Sequence, residues 1–367
     1  MARASLTIDL DAITANWRAL AAIAGPRVET AAVLKADAYG LGTARVGPAL
    51  RAAGVRSFFV ALAEEGAALR AAIGPGPSIR VLSGLMPGDA ALCREAALTP
   101  CLNSPEQLGQ FESDLAGAPC SVQIDSGMQR LGFAPADLAA CAERLRALRP
   151  DLVMSHLACA DLPHPRNTLQ LERFAAGSAL LPGIPRSLAA TPGILLGPGW
   201  HFDLVRPGVG LFGGLPFAAA RPVVRLALPV IQTRAVAPGE AVGYGAAWIA
   251  ERPSVVATVS GGYADGLLRA IGGGIGGGIG GRIEAAGISL YAGDVACPMI
   301  GRVSMDLITV DVTDLASVPP RLEILNARQG VDDLASAAGT IGYEILTALG
   351  DRYERVYNGA ALPLDPA

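Results

Sequence analysis

The 367-residue chain contains a single lysine, Lys35; every other strong base is an arginine. An arginine serves wherever a long cationic side chain only has to reach water or pair with an acid. It cannot serve where a nucleophilic amine must form a Schiff base with an aldehyde. Zinc spacings and C-x-x-C pairs are missing as well. The cysteines Cys93, Cys101, Cys120, Cys141, Cys159 and Cys297 are scattered, so no metal site is expected and buried thiols in a reducing compartment are. No basic stripe or polybasic tract is present, and the net charge is −4 with a pI of about 5.5, which argues against nucleic-acid and membrane partners. The longest uncharged run, 187–202, is broken by Pro192 and Pro198 and is too interrupted to span a bilayer. Asp9 and Asp11 stand where a secretion signal needs an apolar core. A cytoplasmic protein is expected.

What is present is apolar and rhythmic. Hydrophobic residues make up 51% and charged ones 17%, the balance of a globular chain with room for two cores. The run 31–34, Ala-Ala-Val-Leu, reads as a short buried strand. It puts Lys35 at the strand's carboxyl end, where α/β folds carry their chemistry. Burial there lowers an ammonium pKa and favours the free amine.

Further apolar runs at 5–10, 57–62, 79–82, 100–102, 120–124, 152–155, 187–190 and 202–205 alternate with amphipathic helices. The first helix offers Ile13, Trp17, Leu20 and Ala24 on one face after Asp11 as cap. Another begins at Ser104-Pro105-Glu106. About eight such units predict a TIM-type (β/α)8 barrel over 1–222. A doubly wound sheet, the competitor, would show fewer and longer repeats. Beyond Pro222 the runs 223–236, 254–260 and 303–312 follow one another without helices. A mainly β domain is therefore expected over 223–367, closed by two short helices at 331–338 and 343–349. The glycine run from Gly272 to Gly281 reads as a surface loop; no Gly-Lys-Ser/Thr follows it, so it is not a phosphate loop.

The string Ala31-Ala32-Val33-Leu34-Lys35-Ala36-Asp37-Ala38-Tyr39-Gly40-Leu41-Gly42 resembles the cofactor-lysine motif of the alanine racemases, fold-type III pyridoxal-phosphate enzymes. Other motifs of that family follow in family order, and the resemblance runs from Ser5 to Tyr357. It implies pyridoxal 5'-phosphate as cofactor, bound to Lys35, with Tyr39 on its phosphate. Val205-Arg206-Pro207-Gly208-Val209-Gly210-Leu211-Phe212-Gly213 is similar to the segment whose arginine meets the pyridine nitrogen. The Gly208 and Val209 amides would hold phosphate, and Phe212 replaces a usual tyrosine and is read as packing. Thr191 stands where a phosphate-binding serine is common, although Ala190-Thr191-Pro192-Gly193 departs from the usual neighbours. A guanidinium does not give up its proton. The ring nitrogen then stays unprotonated, which favours return of the proton to Cα and suits racemisation.

By the same resemblance Lys35 and Tyr244, in Ala241-Val242-Gly243-Tyr244-Gly245-Ala246-Ala247-Trp248, would be the two bases. His156, in Ser155-His156-Leu157, would link the tyrosine to the arginine. Arg130, in Asp125-Ser126-Gly127-Met128-Gln129-Arg130, would face the substrate carboxylate. The Met305 amide would bind it too, with Asp306 ordering that second site, both in Gly301-Arg302-Val303-Ser304-Met305-Asp306. Tyr263, in Ser260-Gly261-Gly262-Tyr263-Ala264-Asp265-Gly266, would narrow the access corridor. Gln123 departs from a lysine that many members carry in carbamylated form, so the charge that steadies the arginine is lost; the Gln123 amide oxygen can still accept from Arg130, or a bound chloride can replace the charge. The implied protein is a homodimer with shared active sites that interconverts L- and D-alanine and supplies D-alanine for peptidoglycan. Open beside it stand a broad-specificity or serine racemase of the same fold and a non-catalytic pyridoxal-phosphate-binding protein.

Overall fold

The computed structural model describes residues 3–272 and 287–359 and divides into two compact units. The glycine run from residue 273 onward lies outside the described residues.

One unit comprises Ala12–Phe212 and Pro216–Arg221. Its centre is a parallel sheet in the order Ala32–Val33, Ser57–Val60, Ser78–Val81, Thr99–Leu102, Ser121–Gln123, Val153–Met154, Arg186–Ser187. Leu204–Val205 pairs in parallel with Glu29–Thr30. Arg206 N–H donates to the Ala189 carbonyl at 2.8 Å and Ala31 N–H to the Val205 carbonyl at 2.9 Å. These bonds close the ring, so with 29–33 counted as one strand the unit is an eight-stranded barrel. Its strands are short and almost entirely buried, as parallel strands covered on the outside by helices must be. The covering helices include Thr43–Ala53, Ala63–Ile73, Pro105–Asp114, Pro135–Leu148 and Pro165–Ser178. Proline at the first turn starts three of them, and at Pro105 the Ser104 hydroxyl also accepts the Gln107 N–H.

A buried polar plug closes the amino ends of the strands. The Arg80 guanidinium pairs with the Asp151 carboxylate at 2.7 Å and donates to Ser57, Ser78 and Ser121 hydroxyls. All six cysteines are free thiols, and burial pushes Cys101 and Cys120 up to about 12, far from reactive.

The other unit comprises residues 3–11, Gly213–Leu215 and the described part of Pro222–Gly359. Its sheet runs Ser254–Ser260, Leu307–Asp311, Val295–Ile300, Ser289–Ala292, Arg321–Leu325, Val224–Val236, Ser5–Asp9, Glu354–Asn358. The 13-residue strand Val224–Val236 carries bulges at 226/227 and 230/232 and also pairs with Ser254–Ser260. Bulges increase twist, and here they let one strand close six strands into a ring. The helices Val331–Ala338 and Gly342–Ala348 complete this unit.

Two local expectations change. The amino-terminal strand does not enter the barrel; Ser5–Asp9 pairs with Val224–Val236 and with Glu354–Asn358. The first helix starts at Leu10, so Asp11 sits in its first turn and favours the helix dipole there instead of capping it.

Candidate active site

Lys35 lies just past the carboxyl end of the Ala32–Val33 strand, and the Leu34 N–H donates to the Phe59 carbonyl on the neighbouring strand at 2.8 Å. After the lysine the backbone changes hand. Ala36, Asp37, Ala38 and Tyr39 have φ of 52°, 53°, 54° and 56°, a left-handed helical turn built without glycine. Such a turn costs roughly 1–2 kcal/mol per residue, because Cβ crowds the following carbonyl. Several bonds hold it. Ala38 N–H reaches the Leu34 carbonyl, Gly42 N–H the Asp37 carbonyl, Thr43 N–H the Asp37 carboxylate at 2.7 Å and Ala36 N–H the Glu65 carboxylate at 2.7 Å. Ala38 and Tyr39 are buried, and the Tyr39 ring stacks on Phe212 with centroids 4.8 Å apart. Phe212 thus packs against the tyrosine that the turn presents.

The turn delivers the Tyr39 hydroxyl to the backbone of Gly208. A Cβ added at Gly208 would lie 2.2 Å from Tyr39 Oη, so only glycine admits this approach. The Thr191 hydroxyl oxygen accepts from the amides of both Gly208 and Gly210, at 3.1 and 3.3 Å. Val209 opens the 3₁₀ turn Val209–Phe212 beside them. The Tyr39 and Thr191 hydroxyls, with the Val209 amide beside them and the Gly208 and Gly210 amides behind the Thr191 oxygen, make a small polar cradle suited to an anion.

Arg206 is buried and tightly held. Its guanidinium donates to the Ser187 hydroxyl at 2.5 Å, the Ser155 carbonyl at 2.5 Å and the Leu188 carbonyl at 3.4 Å, and it lies 5.9 Å from the Phe59 ring centre. Three of its five N–H groups are used; two have no hydrogen-bond acceptor among the described residues. Burial pulls it down to about 10, still cationic at neutral pH. Ser155 and Ser187 orient this group. Sequence reasoning missed both, although Ser155 closes the apolar run 152–155 and Ser187 opens the run 187–190.

Lys35 opens onto the solvent of the barrel mouth, yet protein crowds its ammonium on several sides. Its pKa falls below the ordinary lysine value, first through desolvation, then through Arg130, against the opposing pull of Glu65. His156 is pushed to about 3 by burial and by the cations Arg206, Arg130 and Lys35, so its imidazole is neutral. Arg130 is exposed and makes no hydrogen bond to protein among the described residues. Its loop is fixed at Gly132, where φ is +112° and an added Cβ would stand 2.7 Å from the Asp125 nitrogen. Gln123 is buried and its amide donates to the Leu131 carbonyl at 3.2 Å. It braces the loop that carries Arg130, and no hydrogen bond to the guanidinium itself is formed. The barrel therefore gathers three cations, one neutral imidazole and a donor cradle at the carboxyl ends of its strands.

The other expected residues belong to the β unit. Tyr244 sits in the 3₁₀ turn Tyr244–Ala246, which joins the paired strands Ala241–Val242 and Trp248–Ile249. Val242 and Trp248 anchor this hairpin on Val236, Ala250, Val256 and Ile300. The tyrosine side chain stands 71% exposed. Tyr263, Met305 and Asp306 form one corner. Tyr263 N–H donates to the Ser304 carbonyl, Ala264 N–H to the Met305 carbonyl and Gly261 N–H to the Asp306 carbonyl. Gly262 allows the approach, since its added Cβ would meet the Met305 oxygen at 2.3 Å. The Arg352 guanidinium ties the corner together, 2.6 Å from Asp306 and 3.5 Å from Asp265. Arg352 was not legible as a site residue, because it pairs with acids far away in the chain.

The alanine racemase N-terminal domain family matches residues 8–216, and the alanine racemase C-terminal domain family matches 223–357. An alanine racemase of Cereibacter sphaeroides is 56% identical over 362 residues, covering 98% of this chain and all of that protein. The chain belongs to the alanine racemase family. It is accordingly an amino-acid isomerase. An alanine racemase of Dinoroseobacter shibae is also 56% identical, over 98% of this chain and 99% of its own. Among solved structures, the alanine racemase of Bartonella henselae with covalently bound pyridoxal phosphate superposes with a TM-score of 0.87 at 35% identity, covering 98% of this chain and all of that one. The biosynthetic alanine racemase of Pseudomonas aeruginosa gives 0.87 at 37% identity over the same shares. This racemase family joins a barrel to a β domain, and the two units of the chain have those architectures.

Proposed function

We propose that the chain racemises alanine with pyridoxal 5'-phosphate by a two-base mechanism, using Lys35 and Tyr244. The observation that carries the reading is the convergence of Lys35, Arg130, Arg206 and a neutral His156 beside a hydroxyl-and-amide cradle. That set matches the cofactor's groups one for one. Lys35, the sole amine of its kind, would hold the aldehyde carbon. Tyr39, Thr191, Gly208 and Val209 would hold the phosphate, in the cradle that a Cβ at Gly208 would fill. Arg206 would offer a remaining N–H to the ring nitrogen. When bound, the cofactor supplies an aldehyde for an amine and a ring that acidifies the substrate Cα–H.

The remaining work falls to side chains. Lys35, released as a free amine of lowered pKa, takes or returns a proton on one face of Cα. Tyr244 does so on the other. His156, kept neutral, can pass polarisation between that phenol and Arg206 without adding charge. Arg130 and the Met305 amide orient the carboxylate, Asp306 orders the second site and Tyr263 limits side-chain size at the mouth.

The exposed Tyr244, Ile249, Tyr263, Met305 and Leu307 of the β unit support a homodimer, since a partner subunit would cover them. In that dimer each Tyr244 and Met305 would serve the partner's barrel. Domains divided near 222, a cytoplasmic location and supply of D-alanine for peptidoglycan complete the reading. The test is a racemisation assay across small amino acids with the cofactor spectrum recorded alongside. L-alanine and D-alanine should interconvert fastest; faster turnover of serine would favour the broader racemase, and no turnover with cofactor bound would favour the carrier.

A further inference from the structure

We infer that Glu65 is a positioning residue for Lys35: it pins the strained turn that presents the lysine and Tyr39. Glu65 belongs to the next βα unit, in the first turn of the helix Ala63–Ile73. One carboxylate oxygen accepts the Ala36 N–H at 2.7 Å. The other accepts the Ala61 N–H at 2.7 Å and the Leu62 N–H at 3.2 Å. A single anion thus ties the peptide immediately after Lys35 to the loop that starts the neighbouring helix. On the other side of the lysine, the Leu34 N–H is held by Phe59 of the same neighbouring unit. Lys35 is bracketed from both sides by one strand–helix unit, through Phe59 of the strand Ser57–Val60 and Glu65 of the helix Ala63–Ile73.

The bracket answers a need. The four left-handed residues from Ala36 to Tyr39 would relax toward right-handed or extended backbone unless surrounding bonds over-determine them. Relaxation would swing the lysine and withdraw the Tyr39 hydroxyl from Gly208. Hydrogen bonds to an ionised acceptor are the strong kind, and three N–H groups converge on this one carboxylate. Its charge also acts on the amine: Glu65 raises the Lys35 pKa, opposing desolvation and Arg130, while Lys35 in turn helps to lower that of His156, and the Asp37 carboxylate lies within the same turn. The adjacent Glu64 is exposed, has the same charge and makes none of these bonds, so it provides the control.

The inference rests on the assignment of Lys35 as the cofactor lysine, and the single lysine makes both testable apart. In the full-length protein, labelling lysine with ¹³C at the carbonyl and alanine with ¹⁵N isolates one amide, that of Ala36. Its hydrogen exchange should be slow in the wild type, and Glu65→Gln should speed it about tenfold or more. The same variant should weaken pyridoxal-phosphate binding to the stripped protein about tenfold and lower the titration midpoint of the one lysine side-chain signal. Glu64→Gln should move none of the three. Unchanged Ala36 exchange and cofactor affinity in folded Glu65→Gln would overturn the inference. Should that variant not fold, the wild type decides: the Ala36 amide signal must shift as the carboxylate is protonated in acid, and a signal that stays put overturns the bond. If Lys35→Ala binds cofactor covalently as well as the wild type, the cofactor assignment fails instead, and the amide result still judges the bracket.

Discussion

Lys35 competes with no other lysine, which gives the residue scale its cleanest expectation. Lys35→Ala should abolish covalent cofactor attachment, read as loss of the visible cofactor band and of borohydride fixation. Fixation that persists, through the chain's terminal amine, would defeat the assignment. His156 carries a pH expectation with a definite sign. Its folded-state pKa is near 3, against 6.5 for an unperturbed imidazole. The unfolded chain therefore takes up a proton that the folded chain refuses. The contribution is absent above about pH 6.5, and as pH falls from there toward about 3 the folded state loses stability, by up to about 1.4 kcal/mol per pH unit. His156→Gln should flatten that part of the curve. Denaturant unfolding at pH 8 and pH 5 measures it, and parallel losses in both proteins would contradict a neutral, desolvated imidazole.

At the scale of elements, three loops at strand ends hold the proposed site residues, and each depends on backbone the side-chain code only partly announces. The Arg130 loop turns back so closely at Gly132 that a methyl group would collide with Asp125 and Ile124. Gly132→Ala should destabilise the protein by roughly 2 kcal/mol, combining positive-φ strain with the clash. It should raise the Michaelis constant for alanine more than it lowers turnover, because Arg130 is displaced while Lys35 is not. Thermal unfolding and steady-state kinetics would show it; an unchanged Michaelis constant would separate Arg130 from the carboxylate. One helix start was legible here, since Pro105 sits where a missing N–H costs nothing; Pro135 and Pro165 start helices in the same way, and the apolar spacing alone did not reveal those starts. The left-handed turn after Lys35 was not. Alanine, aspartate and tyrosine do not ask for φ near +53°, and the bonds that impose it come from Glu65, Leu34 and the Phe212 ring, whose positions only the folded barrel sets.

For the whole molecule the decisive matter is which chain completes each site. Lys35→Ala and Tyr244→Ala proteins should each be nearly inactive. Unfolded, mixed one to one and refolded, about half the dimers should be mixed, each with one site carrying both defects and one intact. Activity should return to roughly a quarter of the wild-type level. If subunits exchange and no activity returns, Tyr244 serves its own chain and the shared-site proposal falls. The repeating run of strand and helix, the later change to unbroken strands, the single lysine and the motif order were all present in the sequence, because periodicity and residue chemistry are local properties. Tertiary structure alone decided that Ser5–Asp9 leaves the barrel for the β sheet, since a strand's partners lie hundreds of residues away. It alone decided that Ser155 and Ser187 aim Arg206, that Arg352 joins Asp265 to Asp306, and that Glu65 reaches the peptide beside Lys35. Hydrogen bonds act over about 3 Å, and nothing in the spacing of a sequence tells which distant groups the fold will bring that close.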